Sequence, residues 1–374
     1  MIPYARQTIE EDDIQAAVEV LRSDVLTQGP KIEEFERALA LRAGTKHAVA
    51  FSHGTAALMG TYFAMDIQPG DEFITTPLTF CATSNAGLWF GAKPVFVDVE
   101  EETGTIDPSA VEAAITPKTK AIVAVAYAGH PSDMDRLRAL AEKHDLVLID
   151  DAMHALGGTL NGKPVGSLAD MTTFSFHPVK PICIGEGGAV TTDSDEYASR
   201  LRAFRLHGIV KDGFVNAAPA AWYYEMQDLG INAKLTDIQA AIGVSQLAKL
   251  DRFLEARERL AVRYHQSLVG LPIQLPVTRQ KVRHGLHLFA IRLTGEWAHR
   301  RDEVFTKLRA AGIGVQVHYI PVHHHPYYQK LGYEKDLCPR AEAFFAREIS
   351  LPLFPTLSDA DQDRVIHELR RILV

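Results

Sequence analysis

Between about residue 45 and residue 205, short apolar runs and helical stretches take turns, and this alternation limits the fold more than any other feature of the chain. Glu72 to Thr76, Pro94 to Val99, Lys120 to Ala126 and Leu146 to Asp150 are strand-like, with helical stretches such as Asp133 to His144 between them. Runs this apolar are strands covered on both faces, so the pattern implies a mostly parallel sheet between two layers of helices. After Asn232 the character changes. Leu235 to Leu268 reads as one long helix, and the remainder mixes strands (Leu286 to Leu293, Gly314 to Tyr319) with amphipathic helices (Arg300 to Ala311, Ser358 to Leu373). The expected architecture is α/β, with a large domain over 1–245 and a smaller C-terminal α+β domain over 246–374.

The candidate chemistry sits at the ends of those strands. Phe174-Ser175-Phe176-His177-Pro178-Val179-Lys180 sets a hydroxyl and a lysine five residues apart, just before the turn Gly185-Glu186-Gly187-Gly188. Upstream, Leu146-Val147-Leu148-Ile149 ends in Asp150-Asp151. A lysine, a phosphate-binding hydroxyl and a carboxylate are the parts that a pyridoxal phosphate site needs. The lysine forms a Schiff base and later moves a proton, the carboxylate holds the pyridine nitrogen protonated, and Ser175 donates to the phosphate. Free lysine has a pKa near ~10.4, so the site must depress it. Neighbours on a strand face opposite ways, so Asp150 and Asp151 are not expected to share chemistry, and the one that does not serve the site is structural. Near the N-terminus the strand His47 to Phe51 turns through Ser52-His53-Gly54-Thr55 into an apolar helix expected over Ala56 to Met65. The N–H groups of Thr55, Ala56 and Ala57 are expected to be free at its positive end, as a phosphate cradle.

The rest of the composition narrows the function. The 374 residues are 47% hydrophobic and carry a formal charge of −8 without a basic run, which argues against nucleic acid as partner. No stretch approaches the ~20 apolar residues of a membrane span, and the expectation is a cytoplasmic soluble protein. Cys81, Cys183 and Cys338 lie far apart, without metal or disulfide spacing. His323-His324-His325 invites a metal reading, but no carboxylate is spaced beside it and consecutive side chains diverge, so no metal is expected. Tyr327 and Tyr328 read as packing residues before they read as a platform for a base.

In its motifs the chain resembles the DegT/DnrJ/EryC1/StrS family of sugar aminotransferases. The likeness runs from near Tyr4 to the C-terminus, through Leu26-Thr27-Gln28-Gly29-Pro30, Ser52 to Leu58, Thr76 to Thr83, Ile149 to Ala155, the lysine segment, Gly230 to Ala241 and Val317-His318-Tyr319. It implies the fold-type I aminotransferase architecture and pyridoxal phosphate. By motif, Lys180 matches the Schiff-base lysine, Asp151 the partner of the pyridine nitrogen, His154 the residue near the ring hydroxyl and Phe80 the stacking aromatic. Thr55, Ala56 and Ser175 match phosphate binders. Asn232 matches a residue that reaches the cofactor phosphate of a neighbouring subunit, which implies a homodimer with shared sites. Tyr4, His318, Tyr319 and His323 are expected at the substrate mouth. Tyr127-Ala128-Gly129-His130, the His177-Pro178-Val179-Lys180-Pro181 segment and Glu348-Ile349-Ser350-Leu351-Pro352 resemble members acting on pseudaminic acid-type sugars. They imply L-glutamate as donor and a UDP-linked 4-keto-6-deoxy-N-acetylhexosamine as acceptor. The alternatives are a bacillosamine- or perosamine-type acceptor, a sugar dehydratase, in which histidine replaces the lysine, and a non-catalytic binding or regulatory protein on the same fold.

Overall fold

The computed structural model describes residues 1–216 and 220–374. Its largest sheet has seven strands, in the order His47–Phe51, Gly188–Thr192, Met171–Ser175, Val147–Asp151, Thr119–Val125, Glu72–Thr75 and Lys93–Phe96. The last five of these pair in parallel, while Gly188–Thr192 runs antiparallel to both of its neighbours. His47–Phe51 therefore points the same way as the parallel strands, and the ends of six strands share one edge.

Alternation along the strands sorts the core into two layers. Ile122, Ala124 and Leu148 join one buried cluster, and Ala121, Val123 and Ile149 join the cluster on the other face. Asp151 therefore follows Ile149 toward one layer, and Asp150 follows Leu148 toward the other. Asp150 is fully buried and neither of its carboxyl oxygens has a hydrogen-bond partner. Burial and the adjacent Asp151 push its carboxyl up to about 8. The folded chain thus holds this proton where an unfolded chain has lost it, and the associated stability declines as pH rises from the ordinary carboxyl range near ~4 toward that value. In Asp150→Asn that slope disappears. Chemical denaturation across this range should show the variant gaining on the parent with pH, by a few kcal/mol at the upper end.

A third cluster holds the C-terminal region, from Leu260 to Leu373, and takes in Ile2. Its three-stranded sheet, in the order Ile273–Gln274, Phe289–Leu293 and Glu348–Leu351, is antiparallel. The long helix expected over Leu235 to Leu268 is two helices, Asp237–Ala248 and Leu250–Ser267, separated at Lys249. Lys249 is drawn inward there, with Nζ 2.7 Å from both Asp12 and Asp13. Leu250 and Leu254 pack in the first cluster, and Leu260 and Tyr264 in the C-terminal one. We propose the domain division within this helix, a little beyond the boundary at 245 that the sequence suggests. Gly314 to Tyr319 forms only an isolated bridge, Gln316 to Ser350.

Candidate active site

Five of those strand ends and a return from the C-terminal region converge on a cavity of about 400 Å³. Asp151 closes the strand Val147–Asp151, Ser175 closes Met171–Ser175, and Thr55 opens the helix Gly54–Ala64 after His47–Phe51. Loops leaving strand ends supply Phe80, His154 and Lys180. Tyr4, His318 and Tyr319 come from outside the large sheet, and all nine of these residues line the one cavity. Open α/β sheets place their ligands at this edge because loop backbone and helix starts face it.

Lys180 is half-buried, and its ammonium makes no hydrogen bond among the described residues. Burial lowers its pKa to about 8, against the opposing pull of the Asp151 charge. The Asp151 carboxyl is itself pushed up by burial and held back by a hydrogen bond from Thr83 and by the Lys180 charge. Thr83 Oγ donates to Asp151 Oδ2 at 2.7 Å, while Tyr62 OH donates to the Thr83 carbonyl at 2.9 Å. The carboxylate is thereby aimed by a second layer of polar groups. Desolvation keeps His154 neutral, with its pKa well below the usual value. Its Nε2 lies 3.1 Å from Tyr319 OH, and its Nδ1 is buried without a partner. Phe80 is 58% exposed and free to cover a ring.

The phosphate cradle differs from expectation. His53 caps the helix, its Nδ1 accepting the Ala56 N–H at 3.0 Å, and the Ala57 N–H reaches the His53 carbonyl at 3.2 Å. Of the three groups, only the Thr55 N–H is free among the described residues. The cause is the His53 imidazole, which serves as the N-cap. Ala56 lies behind the cavity wall, and its amide reaches an anion only if the His53 ring swings away. Gly54 keeps the turn uncrowded, since a Cβ there would stand 2.9 Å from Met153 Cε, the end of a flexible side chain, and 3.1 Å from Ser175 Cβ.

Two further residues lie elsewhere. Asn232 is exposed, bridges to Leu206 and does not line the cavity of its own chain. His323 is fully buried and also outside the cavity, with Nε2 2.8 Å from Glu342. His324 Nε2 lies 3.0 Å from the other oxygen of the same carboxylate. The fold thus brings to the histidine run a carboxylate that linear spacing does not offer, and Glu342 joins the loop to the helix Pro339–Arg347 as a clasp. His325 and Tyr327 line a neighbouring hollow of about 550 Å³ with Cys81, Asn85 and Trp89, and Tyr328 OH donates to Asn85 there at 2.7 Å.

Sequence reasoning also passed over Thr83 and His287. Thr83 stands four residues after Thr79, whose hydroxyl it meets at 2.8 Å, and that spacing at a helix start was the available signal. His287 packs on His154 with ring centres 4.3 Å apart, a contact that no local pattern announces.

The family model for DegT/DnrJ/EryC1/StrS aminotransferases matches residues 7–370. The chain belongs to that family. It is 42% identical, over its whole length and 97% of the relative, to the spore coat polysaccharide biosynthesis protein SpsC of Bacillus subtilis. A protein of Campylobacter jejuni named UDP-4-amino-4,6-dideoxy-N-acetyl-beta-L-altrosamine transaminase is 40% identical, covering all of this chain and 98% of its own. Among solved structures, Helicobacter pylori PseC, described as an aminotransferase involved in the biosynthesis of pseudoaminic acid, superposes with a TM-score of 0.94. It shares 34% identity and covers 100% of this chain and 99% of its own. The sugar aminotransferase Spr1654 of Streptococcus pneumoniae, in its PMP form, has the same TM-score, 0.94, at 34% identity over 100% of this chain and 99% of its own.

The chain is a sugar aminotransferase dependent on pyridoxal phosphate. Its residues fit that cofactor: a lysine of lowered pKa, a carboxylate set by Thr83, a cradle in which a Cβ at Gly54 would crowd, and an unpartnered nitrogen on His154. No helix among the described residues is long and apolar enough to cross a membrane.

Proposed function

We propose that this aminotransferase carries an amino group from L-glutamate to C4 of a UDP-linked 4-keto-6-deoxy-N-acetylhexosamine, in a pseudaminic acid-type route. The observation that carries the chemistry is Lys180 facing Asp151 across one cavity with its pKa lowered to about 8. The named Campylobacter relative and the PseC likeness support the choice of sugar.

Bound pyridoxal phosphate supplies an electron sink for the pair released when a C–H bond beside nitrogen breaks. Lys180 would hold the cofactor through its amine and would then take the proton from, or return it to, the substrate carbon. A pKa near the working pH suits both roles, because the neutral base and its conjugate acid are each well populated. Asp151 would keep a negative charge at the pyridine nitrogen, with Thr83 fixing its direction. Ser175 Oγ and the Thr55 N–H would take the phosphate. Phe80 would cover the ring, with Tyr319 beside it at 6.1 Å between ring centres and His154 hydrogen-bonded to Tyr319. Tyr4, His318 and Tyr319 meet the substrate. His323, buried against Glu342, acts on the mouth only by shaping its loop.

A homodimer with shared sites is part of this reading. Asn232 follows a segment in which Trp222, Tyr224, Met226 and Leu229 are all exposed, between 58% and 81%. An apolar surface of that kind suits contact with a second copy, and Asn232 would then serve the partner's phosphate.

The acceptor is tested by kcat/KM for UDP-2-acetamido-2,6-dideoxy-β-L-arabino-hex-4-ulose beside its 5-epimer, the UDP-α-D-xylo-hex-4-ulose, with glutamate as donor. An epimer leaves buried partners unpaired at about 1–3 kcal/mol each, so a preference of about tenfold or more for the L-arabino sugar is expected. A preference for the D-xylo sugar would move the enzyme to a bacillosamine-type route.

A further inference from the structure

Glu348 opens the strand Glu348–Leu351 and is completely buried. Ser350, two residues on, shares its strand face. One oxygen of Glu348 lies 2.5 Å from Ser350 Oγ, and the other accepts the His318 N–H at 2.7 Å. Ser350 Oγ in turn lies 2.8 Å from His318 Nδ1. His318 lines the cavity, and its remaining nitrogen, Nε2, has no protein partner among the described residues. A continuous chain of hydrogen bonds therefore runs from a buried carboxyl to the substrate space.

The direction of that chain follows from charge. Among the described residues no cation lies within 4.0 Å of Glu348. Arg292, its register partner, turns to the carbonyls of Glu101 and Glu102, and Arg301 to that of Phe345. Tyr127 OH donates to the His318 carbonyl and Tyr319 OH meets His154, so neither compensates a charge at Glu348. A buried carboxylate without a cation is costly, and the group stays neutral instead. Its O–H donates to Ser350, the serine hydroxyl donates to His318 Nδ1, and the imidazole proton must then reside on Nε2.

We propose that Glu348 and Ser350 are positioning residues that set the tautomer of His318, so that His318 presents an Nε2–H donor to an oxygen of the bound substrate. Burial pushes the Glu348 carboxyl up to about 8, and burial with the Lys180 charge holds the His318 ring neutral, down to about 3. A raised pKa means that the proton stays on Glu348 below that value. Above it, Ser350 turns to the carboxylate, His318 donates from Nδ1, and Nε2 becomes an acceptor.

Glu348→Gln separates the two arrangements, because its amide N–H replaces the carboxyl O–H while its carbonyl still accepts the His318 N–H. Near neutral pH the variant should keep kcat/KM within a small factor of the parent, whereas Ser350→Ala, which breaks the chain, loses about tenfold or more. The ratio of parent to Glu348→Gln should be flat below pH of about 8 and fall above it, a comparison in which the shared titration of Lys180 cancels. Nitrogen-15 spectra of histidine-labelled protein should show the His318 proton on Nε2 in both. The readout by spectrum rests on no assumption about substrate, so a failure of the transamination reading and a failure of this chain are separate results. A proton on Nδ1 in the parent near neutral pH, or a Glu348→Gln variant that melts normally yet is as impaired as Ser350→Ala, overturns the proposal.

Discussion

Lys180→Ala is expected to fold, to release pyridoxal phosphate on dialysis and to lose turnover by about 10⁴-fold, the upper range for removing a group that is at once base and covalent anchor. The loss should fall on both half-reactions equally, since the same amine moves the proton in each. Folding should change little. The ammonium makes no hydrogen bond among the described residues, and its own desolvation cost offsets the attraction to Asp151 that alanine removes, while Asp151 keeps the Thr83 hydrogen bond and can take up a proton. The measurement is single-turnover absorbance with glutamate and with the 4-ketosugar, beside a melting curve. A variant that melts with the parent and still turns over at a tenth of its rate would place the base elsewhere.

Asp151→Asn comes second in size. The amide keeps the shape and still accepts from Thr83, but carries no charge to hold the pyridine nitrogen protonated. A loss of about 3 kcal/mol in the half-reaction with glutamate, roughly 100-fold, matches a buried pair deprived of one charge. Cofactor retention should change far less, because Lys180 and the phosphate cradle remain. Half-reaction rates close to those of the parent would mean that another group serves the ring nitrogen.

That these two residues share one cavity was legible because their signals are local. Strand alternation says that Asp150 and Asp151 face opposite layers, the motif resemblance says which of them turns to the site, and the spacing of Ser175 to Lys180 carries a hydroxyl and an amine to the same strand end. The alternating sheet and its covered faces came from the same period-two logic. Contacts across long separations left no such trace. Glu348 reaches His318 from thirty residues away, and His287 reaches His154 from more than a hundred. His323 shows the reverse failure. Its run of histidines looks like a mouth or a metal site on paper, and only the packing of Pro339–Arg347 reveals Glu342 between the rings. At His53 the turn from strand into helix was legible, but the helix starts at Gly54, two residues before the expected Ala56, because the imidazole caps it, and histidine is a rare choice where Ser, Thr, Asp or Asn is usual. Asn232 was singled out by resemblance alone, and a single chain leaves it at the surface.

Borohydride treatment of the protein loaded with pyridoxal phosphate shows whether Lys180 is the lysine that carries the cofactor. Reduction fixes the cofactor to whichever amine holds it, and peptide mass spectrometry then reads the position. The added mass is expected on the peptide that contains Lys180, and is expected to be lost from that peptide in Lys180→Ala. Stoichiometric label on any other lysine would contradict this assignment.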